Sequence, residues 1–169
     1  QSLEFEVLTD ALTGLGSRSA LFKALDNWQN RRDKANLQIL FMDLNRFKQV
    51  NDTHGHLIGD SILRQSVRRL LDCVRISDRV FRCGGDEFVI LAELSSAGDE
   101  QKLADRIKEA FQVPFVIDGQ SFSVGISIGC EQFRQGIDTA DDVIVRSDKR
   151  MYEDKRLSKR LESTESRME

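Results

Sequence analysis

The order of apolar patterns along this chain predicts an α/β (α+β) domain with a central, mostly antiparallel sheet flanked by helices. Three observations carry that expectation. Leu37 to Leu44 is apolar on both faces, as in a strand covered from two sides. Val80 to Cys83 and Phe88 to Leu94 flank a glycine-bearing turn, the pattern of a hairpin. Around these strands, apolar residues recur every three to four positions, the spacing of helices packed by one face.

The elements follow in order. Ser17 stands before Leu21, Phe22, Leu25 and Trp28, an N-cap residue ahead of a helical stripe. After the doubly apolar strand and Gly59, a second stripe runs through Leu63, Val67, Leu70, Leu71 and Val74, with Arg64, Arg68 and Arg69 off it. The hairpin comes next, and Leu103, Ile107 and Phe111 mark a third helix. Phe122, Val124, Ile126 and Ile128 alternate with Ser and Gly, which predicts one half-buried strand. Thr139 with Asp142 opens a fourth helix through Met151 and Tyr152. Strand-helix-strand-strand-helix-strand is the order of ferredoxin-like and polymerase-palm sheets.

Composition narrows the class. A chain of 169 residues, 40% hydrophobic and 31% charged, suits one domain with a core of its own. That domain is expected over residues 9–157, after the end of an incoming helix at 1–8 and before a charged tail at 158–169. A start at Gln1 without Met suggests a piece of a longer protein. The net charge of -3 argues against a nucleic-acid surface, which shows a basic excess. No apolar run nears the roughly 20 residues that span a bilayer, so no membrane contact is expected. Cys73, Cys83 and Cys130 are scattered, which fits reduced thiols and a cytoplasmic location. His54 and His56 read as turn or packing residues rather than metal ligands.

Chemistry concentrates at two places. Asp43 ends a buried apolar strand, where a lone charge is costly. Asp86 and Glu87 follow Gly84 and Gly85 at the hairpin tip. If strand and hairpin are sheet neighbours, Asp43 and Asp86 converge at one rim, a donor set suited to Mg²⁺, which takes hard oxygen ligands. The glycines would let the backbone turn tightly and leave room for a phosphate. By themselves these residues fit an ordinary polar turn equally well.

The run Gly84-Gly85-Asp86-Glu87-Phe88 resembles the namesake motif of the GGDEF family. The rest of that family's pattern stands around it in order: Asp10-Ala-Leu-Thr-Gly-Leu-Gly-Ser-Arg18, Asp43-Leu-Asn-Arg-Phe-Lys48, Asn51-Asp52, Gly55-His56, Gly59-Asp60, Arg82, Ser127-Ile-Gly129, and Asp148 with Tyr152 and Lys155. The resemblance implies a diguanylate cyclase that joins two GTP molecules into cyclic di-GMP and releases two pyrophosphates. Asp43, Asp86 and the Leu44 carbonyl would hold two Mg²⁺ ions per half-site, with Mn²⁺ as an alternative. Glu87, Asp86 and Lys48 would serve catalysis, Glu87 as base or polar organiser. Asn51 and Asp60 would read guanine: a carboxylate accepts from guanine N1-H and N2-H together, a pattern adenine lacks.

Phe47, Lys48, Lys155 and Lys159 complete the implied substrate-binding set. The family's usual Gly-Arg-Asn ending is replaced by Ser158-Lys159-Arg160, and Ser147 and Arg150 stand where it prefers alanine. Arg75-Ile-Ser-Asp78 resembles the family's product-binding inhibitory site, where arginine stacks on guanine and aspartate accepts from its edge. An ordinary surface ion pair is the plain alternative for those two residues. Catalysis by such domains implies a homodimer in which two half-sites face each other. A non-catalytic receptor of GTP or cyclic di-GMP is the competing reading, and intact Asp43, Asp86 and Glu87 argue against it.

Overall fold

The computed structural model describes residues 7–31 and 36–169. Along them run α1 (Arg18–Gln29), β1 (Leu37–Leu44), α2 (Phe47–His54), α3 (His56–Cys73), β2 (Arg79–Gly84), β3 (Glu87–Glu93), α4 (Asp99–Ala110), β4 (Phe115–Ile117), β5 (Gln120–Phe122), β6 (Ile126–Phe133) and α5 (Ala140–Met168). The main sheet has the order β2-β3-β1-β6, and every neighbouring pair is antiparallel. That is the ferredoxin-like arrangement expected from the element order, and β4 with β5 forms a separate small hairpin.

β1 shows why an unbroken apolar run was needed. Successive side chains of a strand point to opposite faces. Leu40, Met42 and Leu44 therefore enter one core with α3 and α4, which supply Ile62, Leu70, Leu103 and Ile107. Leu37, Ile39 and Phe41 enter a second core with Leu21 and Leu25 of α1 and Val143 and Met151 of α5. The caps form as their sequences require. The Ser17 hydroxyl accepts from the Ala20 amide at 3.3 Å, and Thr139 and Asp142 bond each other's amides reciprocally at 3.1 Å.

Five local expectations are corrected. Phe122 to Ile128 is not one strand: β5 ends at Phe122 and β6 begins at Ile126. The burial alternation persists through Val124, because period-two burial needs only extended chain, not a ladder partner. There the Gly125 carbonyl instead accepts from the Asn45 amide at 2.7 Å. The second helix starts at His56 rather than after Gly59, and a separate helix, α2, precedes it. α2 buries no residue fully and only half-buries Phe47 and Val50, too short a stripe to read as a helix. Leu71 lies outside the buried stripe, half exposed. Residues 158–168, expected as a tail, continue α5, and Arg46 pairs with Glu162 at 2.7 Å. Of the incoming segment expected at 1–8, residues 1–6 lie outside the described residues, and Val7 and Leu8 are not helical.

The start of α5 is held by a buried charge. Asp138, 2% exposed, accepts from both guanidinium nitrogens of Arg146 at 2.8 and 3.0 Å and from the Arg134 amide at 2.8 Å. Hydrogen bonding from Arg146, opposed by burial and reinforced by Arg134, holds its carboxyl well below the usual carboxylate range. A depressed carboxylate contributes stability above its unfolded pKa and loses it as pH falls. Asp138→Asn is expected to lower unfolding free energy by about 2 kcal/mol or more at neutral pH. In urea melts the gap from the unsubstituted chain should narrow below about pH 4, where unfolded-state aspartate takes up its proton. An unchanged midpoint at pH 7 would show that the network contributes nothing net.

Candidate active site

Sheet register brings the two acidic segments together. β1 and β3 pair so that Asp43 stands opposite Glu87, with Ser127 of β6 on its other side. The Leu44 amide donates to the Asp86 carbonyl at 3.2 Å, closing the hairpin tip against the end of β1. Asp43, Asp86 and Glu87 thus share one rim of the sheet.

The electrostatics there are unsettled in the protein alone. Asp43 Oδ1 is buried and has no hydrogen-bond partner. Oδ2 accepts from Lys155 Nζ at 3.1 Å. Burial first, then the neighbouring Asp86 carboxyl, pushes the Asp43 pKa up to about 6, with Lys155 opposing. Burial, followed by the charges of Asp43 and Asp148, likewise raises Glu87. An orphaned carboxylate oxygen beside a second carboxylate is a demand for a cation. Asp43 and Asp86, with the Leu44 carbonyl, could hold such a cation, and an all-oxygen donor set of this kind would fit Mg²⁺, which keeps waters and phosphate oxygens in its shell rather than filling an all-protein cage.

The chain turns tightly through Gly85 and Asp86, as expected, between β2 and β3. Neither Gly84 nor Gly85 has a positive φ. A side chain on Gly84 would sit 3.1 Å from Glu87 Oε2, whereas Gly85 faces open space. Gly84 therefore clears a path for Glu87. Arg82 braces the tip from below, donating to the Gly85 carbonyl at 2.8 Å and the Gly84 carbonyl at 3.2 Å. Its other arm meets Asp10 Oδ2 at 3.1 Å. Asp10 and Arg82 are 72 positions apart, so no local pattern announced the pair.

Beside the rim lies a cleft of about 510 Å³ whose lining includes Phe47, Lys48, Asp86, Lys155 and Lys159. Arg46, also in its wall, adopts the left-handed conformation (φ 65°) that starts α2, and no side chain caps that helix. Lysines together with a free helix N-terminus make a surface for phosphate oxygens. The helix that carries Lys155 is tied to the sheet by Asp154, which accepts from the Ile128 amide at 2.9 Å and from Lys108 at 2.9 Å. Asn51 lies outside that lining. Its carboxamide faces His56 Nδ1 at 3.5 Å and packs on Gly59, the residue before half-buried Asp60. His54 packs edge-on against Phe122 at 4.9 Å.

Arg75 and Asp78 are elsewhere, in the connection between α3 and β2. The Arg75 amide donates to Asp78 Oδ2 at 2.9 Å, and the Asp78 amide returns a bond to the Arg75 carbonyl at 3.0 Å. This closes a turn and leaves the guanidinium without a partner among the described contacts. Sequence reasoning missed Asp148 as a charge acting on Glu87, and it missed the Arg46–Glu162 pair.

A four-stranded ferredoxin-like sheet with paired carboxylates at one rim and a lysine-lined cleft beside them defines a palm-type domain. The chain belongs to the GGDEF family: the model of the diguanylate cyclase GGDEF domain matches residues 7–160. It is 37% identical over 161 residues to the diguanylate cyclase TpbB of Pseudomonas aeruginosa, covering 92% of this chain and 37% of that protein. To the cyclic di-GMP phosphodiesterase PdeR of Escherichia coli it is 36% identical over 148 residues, 85% of this chain and 22% of that one. It thus spans well under half of either relative. A sensory box/GGDEF family protein from Caulobacter crescentus superposes with a TM-score of 0.82 at 32% identity, over 89% of this chain and 99% of the other.

Proposed function

We propose that this domain is a diguanylate cyclase, condensing two GTP molecules into cyclic di-GMP. The observation that carries the reading is Asp43, with one buried carboxylate oxygen unpartnered, set beside Asp86 at the mouth of a lysine-lined cleft. A hydrolase for cyclic di-GMP, as PdeR is named, finds no separate support in these residues.

In this reading Asp43, Asp86 and the Leu44 carbonyl hold Mg²⁺, or Mn²⁺ in its place. The bound metal supplies charge neutralisation and a more acidic hydroxyl. Lys48, Lys155 and Lys159 take the triphosphate charge, and Phe47 forms part of the wall. Asn51 and Asp60 read the guanine. The 3′-hydroxyl oxygen of one GTP attacks the α-phosphorus of the other. A P–O bond forms, the bond to the β-phosphate bridging oxygen breaks, and pyrophosphate leaves. The hydroxyl proton passes toward Glu87, whose raised affinity for protons suits an acceptor. A second, symmetric attack closes the ring. Each domain offers one GTP, so the working unit is a homodimer with the clefts opposed.

Product feedback is assigned to Arg75 and Asp78. The test is to incubate a dimer-forced form of the chain with GTP and Mg²⁺ and to identify the product by mass. Cyclic di-GMP with two pyrophosphates is expected. GTP binding without turnover would establish the receptor reading instead. With added cyclic di-GMP the reaction should slow, and Arg75→Ala should abolish that slowing while leaving the initial rate intact. Feedback that survives the substitution removes Arg75 from the inhibitory site.

A further inference from the structure

Gly59 is buried in the first turns of α3, where glycine costs helix stability relative to alanine. Its φ is not positive, so the backbone does not require it. The reason lies in what packs on it. A Cβ at this position would fall inside the contact distance of Asn51 Oδ1, 3.2 Å from Asn51 Cγ and 3.3 Å from Phe47 Cζ. All three atoms belong to side chains reaching across from α2, and none is backbone. An added methyl group therefore displaces Asn51 before it displaces either helix.

We infer that Gly59 is a positioning residue for base selection: its bare Cα seats the Asn51 carboxamide beside Asp60, so that the two read one guanine edge together. The inference rests on Asn51 and Asp60 being the guanine readers. His56 closes the seat from the other side, its ring nitrogen 3.5 Å from Asn51 Nδ2. The carboxamide is thus limited on one side by the α3 backbone at Gly59, and a methyl group there would shift it. The residue touches no base itself and acts only through Asn51.

A double-substitution cycle separates this role from a general structural one. Binding of α,β-methylene GTP and α,β-methylene ATP is measured with Mg²⁺ for the unsubstituted chain, Gly59→Ala, Asn51→Ala and the double variant. Gly59→Ala is expected to weaken the guanine analogue about tenfold, the scale of one or two lost polar contacts. It should leave the adenine analogue unchanged and should not lower the melting temperature. In the Asn51→Ala background it should cost nothing further. An equal loss in both backgrounds, or no loss in either, overturns the assignment. If Asn51→Ala itself leaves guanine binding intact, the assignment falls because the guanine reading has failed, a distinguishable result.

Discussion

Asp86→Ala is expected to reduce cyclic di-GMP formation by roughly 10³-fold or more, since a bound metal supplies several kcal/mol of transition-state charge stabilisation. In the proposed mechanism Asp43 and Asp86 hold the metal together, so neither carboxylate alone would leave a competent donor set. The fold should survive. The substitution removes the like charge that burial sets against Asp43, so metal-free thermal stability should be unchanged or higher. Glu87→Gln should lose less, because in the proposed mechanism a bound metal would already acidify the attacking hydroxyl. Pyrophosphate release measured under saturating GTP and Mg²⁺ decides both. Full release from the Asp86 variant would remove it from catalysis, and full release from the Glu87 variant would do the same for the proton acceptor.

Gly129→Ala carries the largest expected effect on the fold. A Cβ there would overlap the Met151 amide nitrogen and the Ser147 carbonyl oxygen, and lie 2.8 Å from the Arg150 carbonyl carbon. These are backbone atoms of α5, which cannot rotate away as a side chain does. β6 and α5 must separate, which opens the core that Val143, Ile144 and Met151 close. A loss of about 3 kcal/mol or more is expected, at the upper end of overpacking costs. It should show as a lower urea midpoint at unchanged slope. Activity should fall too, because the same helix carries Lys155 to Asp43. Gly85→Ala is the control: with open space around it and no positive φ, stability should hold. Equal midpoints for the two variants would refute the close-packing argument.

Much of the architecture was legible before any coordinates. Leu37 to Leu44 announced a doubly covered strand because both faces of β1 meet apolar cores. The Ser17 and Thr139 caps were legible because capping is a contact between residues three apart. The elements without such signals went unread. α2 buries no residue fully and packs only Phe47 and Val50 partly against the core, and the break between β5 and β6 keeps the alternation of a single strand while abandoning its partners. The candidate site divides along the same line. Residue types and their spacing nominated Asp43, Asp86, Glu87, Asn51 and Asp60, yet an ordinary polar turn fitted the hairpin tip equally well.

By itself the sequence determined the element order, the two-sided core strand and the residues worth watching, since these rest on local periodicity and short spacings. Only the tertiary structure decided that Asp43 faces Glu87 across a strand pair, that its Oδ1 is left without a partner and that Lys155 comes from 112 positions away. It alone decided that Arg82 ties the hairpin tip to Asp10, and that the glycines at 59, 84 and 129 make room for other groups rather than bend the chain. The physical reason is that strand register and helix-sheet distance are set by contacts between segments far apart in the chain. Whether two acids share one rim or stand alone is a consequence of that register.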